Sequence, residues 1–239
     1  MNKKEFKIGK LTAITNARIF NGEKVIDEQV VIFDEENIID IGGEVPTGAT
    51  IVDAHGATLM PGLIDSHVHT SIDGLRHALK FGVTTELEMM GGFTKNARDL
   101  ELKGIDDIAD VRSAGMGVTA PGGHPDELMG GGDGIPDFVL KEMEKMTEEE
   151  KAAFIVAHAQ QENDEESPSF TTIEGTIKHV DEQVLHGADY IKILIEEGTV
   201  MNCPGLPVLS NDIYKAAVDE AHKLDKIVLA RSEERRVGK

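Results

Sequence analysis

Two histidines, His67 and His69, stand two residues apart at the end of the apolar run Leu63-Ile-Asp-Ser-His-Val-His. Alternate side chains of a β-strand face the same way, so both imidazoles would point to one side, which in a closed parallel barrel is the interior. Neutral imidazoles paired like this are good ligands for first-row metals, and the C-terminal ends of barrel strands are where such enzymes place their chemistry. The alternative is a pair of strand histidines satisfied by hydrogen bonds.

Lys192 is a second residue with chemical potential, because it interrupts the apolar run Tyr190-Ile-Lys-Ile-Leu-Ile. A strand this apolar is expected to be buried on both faces, where an uncompensated ammonium is costly and its pKa falls. A neutral lysine amine can add carbon dioxide to form a carbamate, whose two oxygens can bridge two divalent cations. The alternative is an ordinary ammonium that reaches water or pairs with Asp189 or Glu196. The single cysteine, Cys203, lies in the loop segment Asn-Cys-Pro-Gly with no cue to an activating base, and is not read as a nucleophile.

The elements that must position these residues come in two kinds. From Leu11 to about Asp53 the runs AITNARIF, QVVIFD and NIIDIG alternate apolar and polar residues between turn signals such as Asn21-Gly22, and read as a small β unit. From about Leu59 apolar strand segments alternate with helical ones, the pattern of parallel βαβ construction. Five strands are expected, at Leu63 to Val68, Val83 to Met89, Met116 to Ala120, Tyr190 to Ile195 and Ile227 to Ala230. The helix before the last is the clearest: Ser210 can cap it, and Ile213, Ala216, Ala217, Ala221 and Leu224 keep a helical spacing. A long insertion between the third and fourth strands holds a glycine-rich piece, MGGGDGIP, and an acidic piece, QQENDEESPS. The glycine run lacks the Gly-Lys-Ser/Thr ending of a phosphate loop.

Composition removes some classes of partner. A net charge of −20 opposes binding to nucleic acid or to an anionic membrane, since phosphate contacts need clustered Lys and Arg. No apolar run suggests a signal peptide or a membrane span, and one cysteine agrees with a reducing, cytoplasmic setting. A small molecule is the expected partner, and the oligomeric state stays open, a homo-oligomer included.

The segment Ala57-Thr-Leu-Met-Pro-Gly-Leu-Ile-Asp-Ser-His-Val-His, preceded by Ile14-Thr-Asn-Ala-Arg-Ile-Phe, resembles the amidohydrolase superfamily. Gly187-Ala-Asp-Tyr-Ile-Lys-Ile strengthens the likeness. With Gly122-Gly-His124 after the third strand, it resembles the branch of imidazolonepropionase-like proteins and the dipeptidases called prolidases or Xaa-Arg carboxypeptidases. The resemblance implies an α/β fold: a partial (β/α)8 TIM-type barrel of about five βα units over residues 59–230, with a small N-terminal β-sandwich portion over 1–58. It implies two divalent metal ions, taken as zinc, with His67 and His69 holding the buried one and a carboxylated Lys192 bridging both. His124 would lie near a small-molecule or dipeptide-like substrate, and Asp65 would support the ligands or the strand. The implied chemistry is hydrolysis of a carbon–nitrogen bond in an amide, peptide or cyclic amide by a metal-bridging hydroxide.

Parts of the family pattern are missing. The general base, an aspartate from an eighth strand, is not in this sequence, and Arg231 stands where a histidine should follow the fifth strand. A (β/α)8 barrel needs about 250 residues, more than remain here after the β unit. The closing segment Arg231 to Lys239 has four basic residues among nine and looks foreign to the family. It reads as an assembly artefact, so the expectation is an N-terminal fragment of a longer enzyme, inactive by itself. Two other functions remain open: a non-catalytic barrel scaffold of the hydantoinase-relative type, and a mononuclear deaminase of the same superfamily.

Overall fold

The computed structural model describes residues 10–125, 147, 171–199 and 204–232, and the chain forms two compact units, Met1–Leu63 and Ile64–Lys239. The glycine-rich and acidic pieces of the insertion, Cys203 and residues 233–239 fall outside the described residues.

The first unit contains β1 (Thr12–Thr15), β2 (Arg18–Ile19), β3 (Val31–Phe33), β4 (Ile38–Ile41), β5 (Thr50–Asp53) and β6 (Thr58–Leu59). One sheet runs in the order β4-β3-β1-β5, with β1 antiparallel to β3 and parallel to β5, and β2 pairs with β6 in parallel. The expected single run AITNARIF is divided into β1 and β2 at Asn16, whose φ of 53° turns the chain through the left-handed region. Asp34 closes the β3–β4 hairpin by accepting the backbone N–H groups of Glu36 and Asn37 at 2.8 and 2.7 Å. Ala17, Ile19 and Val31 form the core of this unit.

The second unit alternates strands and helices. Its elements are β7 (Leu63–Val68, starting at the boundary), α1 (Ile72–Lys80), β8 (Val83–Glu88), α2 (Lys95–Glu101), β9 (Asp110–Ser113), α3 (Ile173–Leu185), β10 (Ile191–Ile195), α4 (Asn211–Lys223) and β11 (Val228–Ser232). The strands form the sets β7-β8-β9 and β10-β11, with β8 parallel to β9 and β10 parallel to β11. A parallel bridge pairs Val118 with Ile193 of β10: Val118 N–H donates to the Lys192 carbonyl at 2.8 Å, and Leu194 N–H to the Val118 carbonyl at 3.0 Å.

The third strand corrects the sequence reading. Met116 to Ala120 was expected to form it, but only Val118 bridges there, and the strand is Asp110–Ser113. The sequence Asp-Val-Arg-Ser hides its strand character because its polar groups satisfy one another locally. Arg112 pairs with Asp110 at 2.8 Å, and the Ser113 hydroxyl donates to Glu88 on β8 at 2.6 Å.

The helices start where short polar side chains can stop them. Ser71 and Thr172 cap α1 and α3 by accepting the N–H groups of Gly74 and Gly175, each at 3.1 Å. Ser210 occupies the N-cap position of α4 as expected, but its side chain makes no capping bond; its carbonyl accepts instead from Ile213 and Tyr214. The largest core lies between β10 and the two helices α3 and α4, where Val118, Val180, Ile191, Ile193, Ile213 and Ala217 pack together. No described helix is long and apolar enough to cross a membrane.

Candidate functional site

Because Ile191 and Ile193 are committed to the helix-side core, the alternation of β10 turns Lys192 and Leu194 to the opposite side. Gly117 lies against that side. A Cβ there would stand 2.6 Å from Leu194 Cδ1 and 3.5 Å from Lys192 Cγ, so the absent side chain lets the chain approach the strand closely. Lys192 is 5% exposed. The carboxylates that could have neutralised it are engaged elsewhere: Asp189 accepts two bonds from Arg98, at 2.6 and 3.1 Å, and Glu196 accepts from Arg231 at 2.7 Å. Burial lowers the Lys192 pKa below the ordinary ammonium value, and the nearby Arg231 charge lowers it further. Both effects weaken the hold of the amine on its proton.

His67 and His69 face each other edge to face at the end of β7, with ring centroids 5.9 Å apart and planes inclined at 65°. His69 Nδ1 lies 3.0 Å from the Met90 carbonyl. That oxygen can only accept, so Nδ1 carries the proton and the Nε2 lone pair is left open. The same arrangement orients many metal-bound imidazoles. Asp65 accepts the backbone N–H of His67 at 3.2 Å, which fixes the strand end rather than the ring. Burial depresses the His67 pKa below the usual imidazole value; the charges of Lys192, His69 and Arg231 act in the same direction and Asp65 opposes them. Lys192 is therefore an electrostatic neighbour of His67, although 125 residues separate the two in sequence.

His124 is the remaining residue expected at the site. It follows the Val118 bridge in a half-buried loop, where its carbonyl accepts the Thr119 hydroxyl at 2.6 Å and its bond to Pro125 is cis. Sequence reasoning underrated two residues. Glu196 appeared only as a possible partner for Lys192, and Arg231 as the residue standing in place of a histidine at the start of a foreign tail. Arg231 instead lies in β11, opposite Leu194. Glu196 shares the even-numbered spacing of Lys192 and Leu194, a signal that was available.

Among the described residues no three His, Cys, Asp or Glu side chains gather as a metal site. Two imidazoles, one with its tautomer set for coordination, and a buried lysine whose pKa is lowered do fit part of a metal site. They do not complete one.

No family model matches the chain. A dihydroorotase of Geobacter sulfurreducens is 35% identical to it over 103 residues, which are 42% of this chain and 24% of that protein. The crystal structure of an amidohydrolase superposes with a TM-score of 0.67 at 20% identity, covering 92% of this chain and 55% of that one. Over part of its length the chain is similar to a dihydroorotase, and it shares the fold of an amidohydrolase. A Xaa-Pro dipeptidase, solved with methionine in its active site, shares the fold at TM-score 0.64 and 20% identity over 92% of this chain and 56% of that chain. The chain spans about half the length of these structures and about a quarter of that curated relative.

Proposed function

We propose that the second unit is part of a (β/α)8-type barrel and supplies part of the site of a metal-dependent hydrolase of carbon–nitrogen bonds. The observation that supports the proposal is a buried Lys192, with no carboxylate partner among the described residues, whose charge acts on His67 beside His69. The names of its relatives, dihydroorotase and Xaa-Pro dipeptidase, support amide chemistry of cyclic or peptide type. His67, His69 and a carboxylated Lys192 would hold divalent ions such as zinc. A bound ion supplies hydroxide near neutral pH by lowering the pKa of water. The chain's own residues do the preparation: the Met90 carbonyl sets the His69 tautomer, Asp65 holds the strand end, and the close approach of Gly117 helps to cover Lys192. His124 would approach the substrate from the loop beyond Val118. The site is incomplete here, so the chain by itself is expected to be inactive.

The test is to incubate the chain with zinc and carbon-13 bicarbonate, then read the carbamate carbon by NMR and bound zinc by equilibrium dialysis. A carbamate signal that disappears in Lys192→Ala, with zinc retained only when both histidines are present, is the expected result. Zinc binding indifferent to all three residues would end the proposal. Replacing Arg231 by His should strengthen zinc binding, because it exchanges a repelling cation for a ligand.

A further inference from the structure

Glu196 is a buried group at the same strand ends that the proposed hydrolysis does not employ. It follows β10 directly, and its side chain is 1% exposed. Its Oε2 accepts from Arg231 Nε at 2.7 Å, while Oε1 is buried with no hydrogen-bond partner among the described residues. A buried carboxylate oxygen left unsatisfied is costly, and a carboxylate facing a guanidinium ordinarily uses both oxygens in a two-pronged contact. Arg231 supplies one prong. The place therefore accommodates cationic nitrogen and has capacity for more. A metal ion is a poorer fit to the open oxygen, since no three His, Cys, Asp or Glu side chains converge among the described residues. The net charge of −20 also draws cations toward the molecule.

We propose that Glu196 recognises an organic cation, an ammonium or guanidinium group carried by the substrate, and that Arg231 partly occupies this position in the present chain. The inference rests on reading the strand ends as the mouth of a substrate site. It makes Glu196 a specificity residue placed four positions beyond Lys192 on the same stretch of chain. The substrate's cation donates to Oε1, and to Oε2 once Arg231 is displaced.

The probes are N-butylguanidinium and its neutral isostere N-butylurea, titrated by NMR in the presence of a chelator so that no metal takes part. Arg231→Met should bind the guanidinium at least about tenfold more tightly than the urea. Adding Glu196→Gln to that variant should abolish the preference while leaving the fold intact by circular dichroism. The wild-type chain should keep the same ranking at weaker affinity, which preserves the test if the Arg231 variant does not fold. Equal binding of the two probes, no binding of either, or a preference that survives Glu196→Gln would overturn the inference. Because metal is excluded, failure here is distinct from the absence of a carbamate or of bound zinc.

Discussion

β7 and β10 both present chemically capable side chains, but their surroundings differ. β7 lies at the end of its sheet and is exposed along most of its length, with Leu63 and Ile64 at 50% and 63% exposure. β10 lies between the Val118 bridge and β11, and its first four residues are buried. The same alternation of side chains has different consequences in the two places. On β7 it brings two imidazoles together where both remain accessible, with the tautomer of one set by a backbone carbonyl. On β10 it removes an ammonium from water and so alters its chemistry. Spacing is enough to pair ligands, whereas an unusual protonation state requires burial from several directions.

The largest test of this difference is in the cores. Ile193→Ala should destabilise the second unit by about 3 kcal/mol in denaturant unfolding, as expected for a truncated core isoleucine. A loss below about 1 kcal/mol would show that β10 is not packed as described. The next test is at the start of β10. Arg98→Ala strips the guanidinium from a largely buried Asp189, whose second contact is the Ser113 N–H, and should cost about 2 kcal/mol in the same measurement.

A third test uses pH. His179 on α3 is buried, its Nε2 lies 3.0 Å from the Met116 carbonyl, and burial lowers its pKa below 6.5. As pH falls, the unfolded chain takes up this proton first, so the contribution is complete above about pH 6.5 and is lost toward the depressed folded value. Thermal melts of wild type and His179→Gln should therefore converge as the pH is lowered, and parallel curves would remove His179 from the account. Lys192→Met should leave stability within about 1 kcal/mol of wild type, because an apolar isostere relieves the desolvation of the amine. A large loss would mean that Lys192 is a neutralised structural cation. The smallest effect is expected on β7, where Ile64→Ala should change stability by less than about 0.5 kcal/mol.

Much of the site could be read from the sequence because its signals are local. His67 and His69 follow the two-residue repeat of a strand, and Lys192 breaks an apolar run in which any charge stands out. The strand at Asp110–Ser113 was not legible, since two of its four residues are charged and their partners lie within the strand or on neighbouring strands. The apolar segment around Val118 drew the assignment instead, although it contributes a single bridge. The tie between Arg231 and Glu196 was hidden for a related reason: it crosses 35 residues and depends on the register of β11 against β10.

By itself the sequence determined that strands alternate with helices in the second unit, the direction in which paired side chains point, and the family resemblance, because these depend on short-range periodicity and on motifs of a few residues. Only the tertiary structure decided which carboxylates were already taken, how deeply Lys192 is buried, and that the histidine pair and the lysine share one electrostatic neighbourhood. Those properties depend on the packing of segments from 35 to 125 residues apart, and desolvation is a property of everything that surrounds a group.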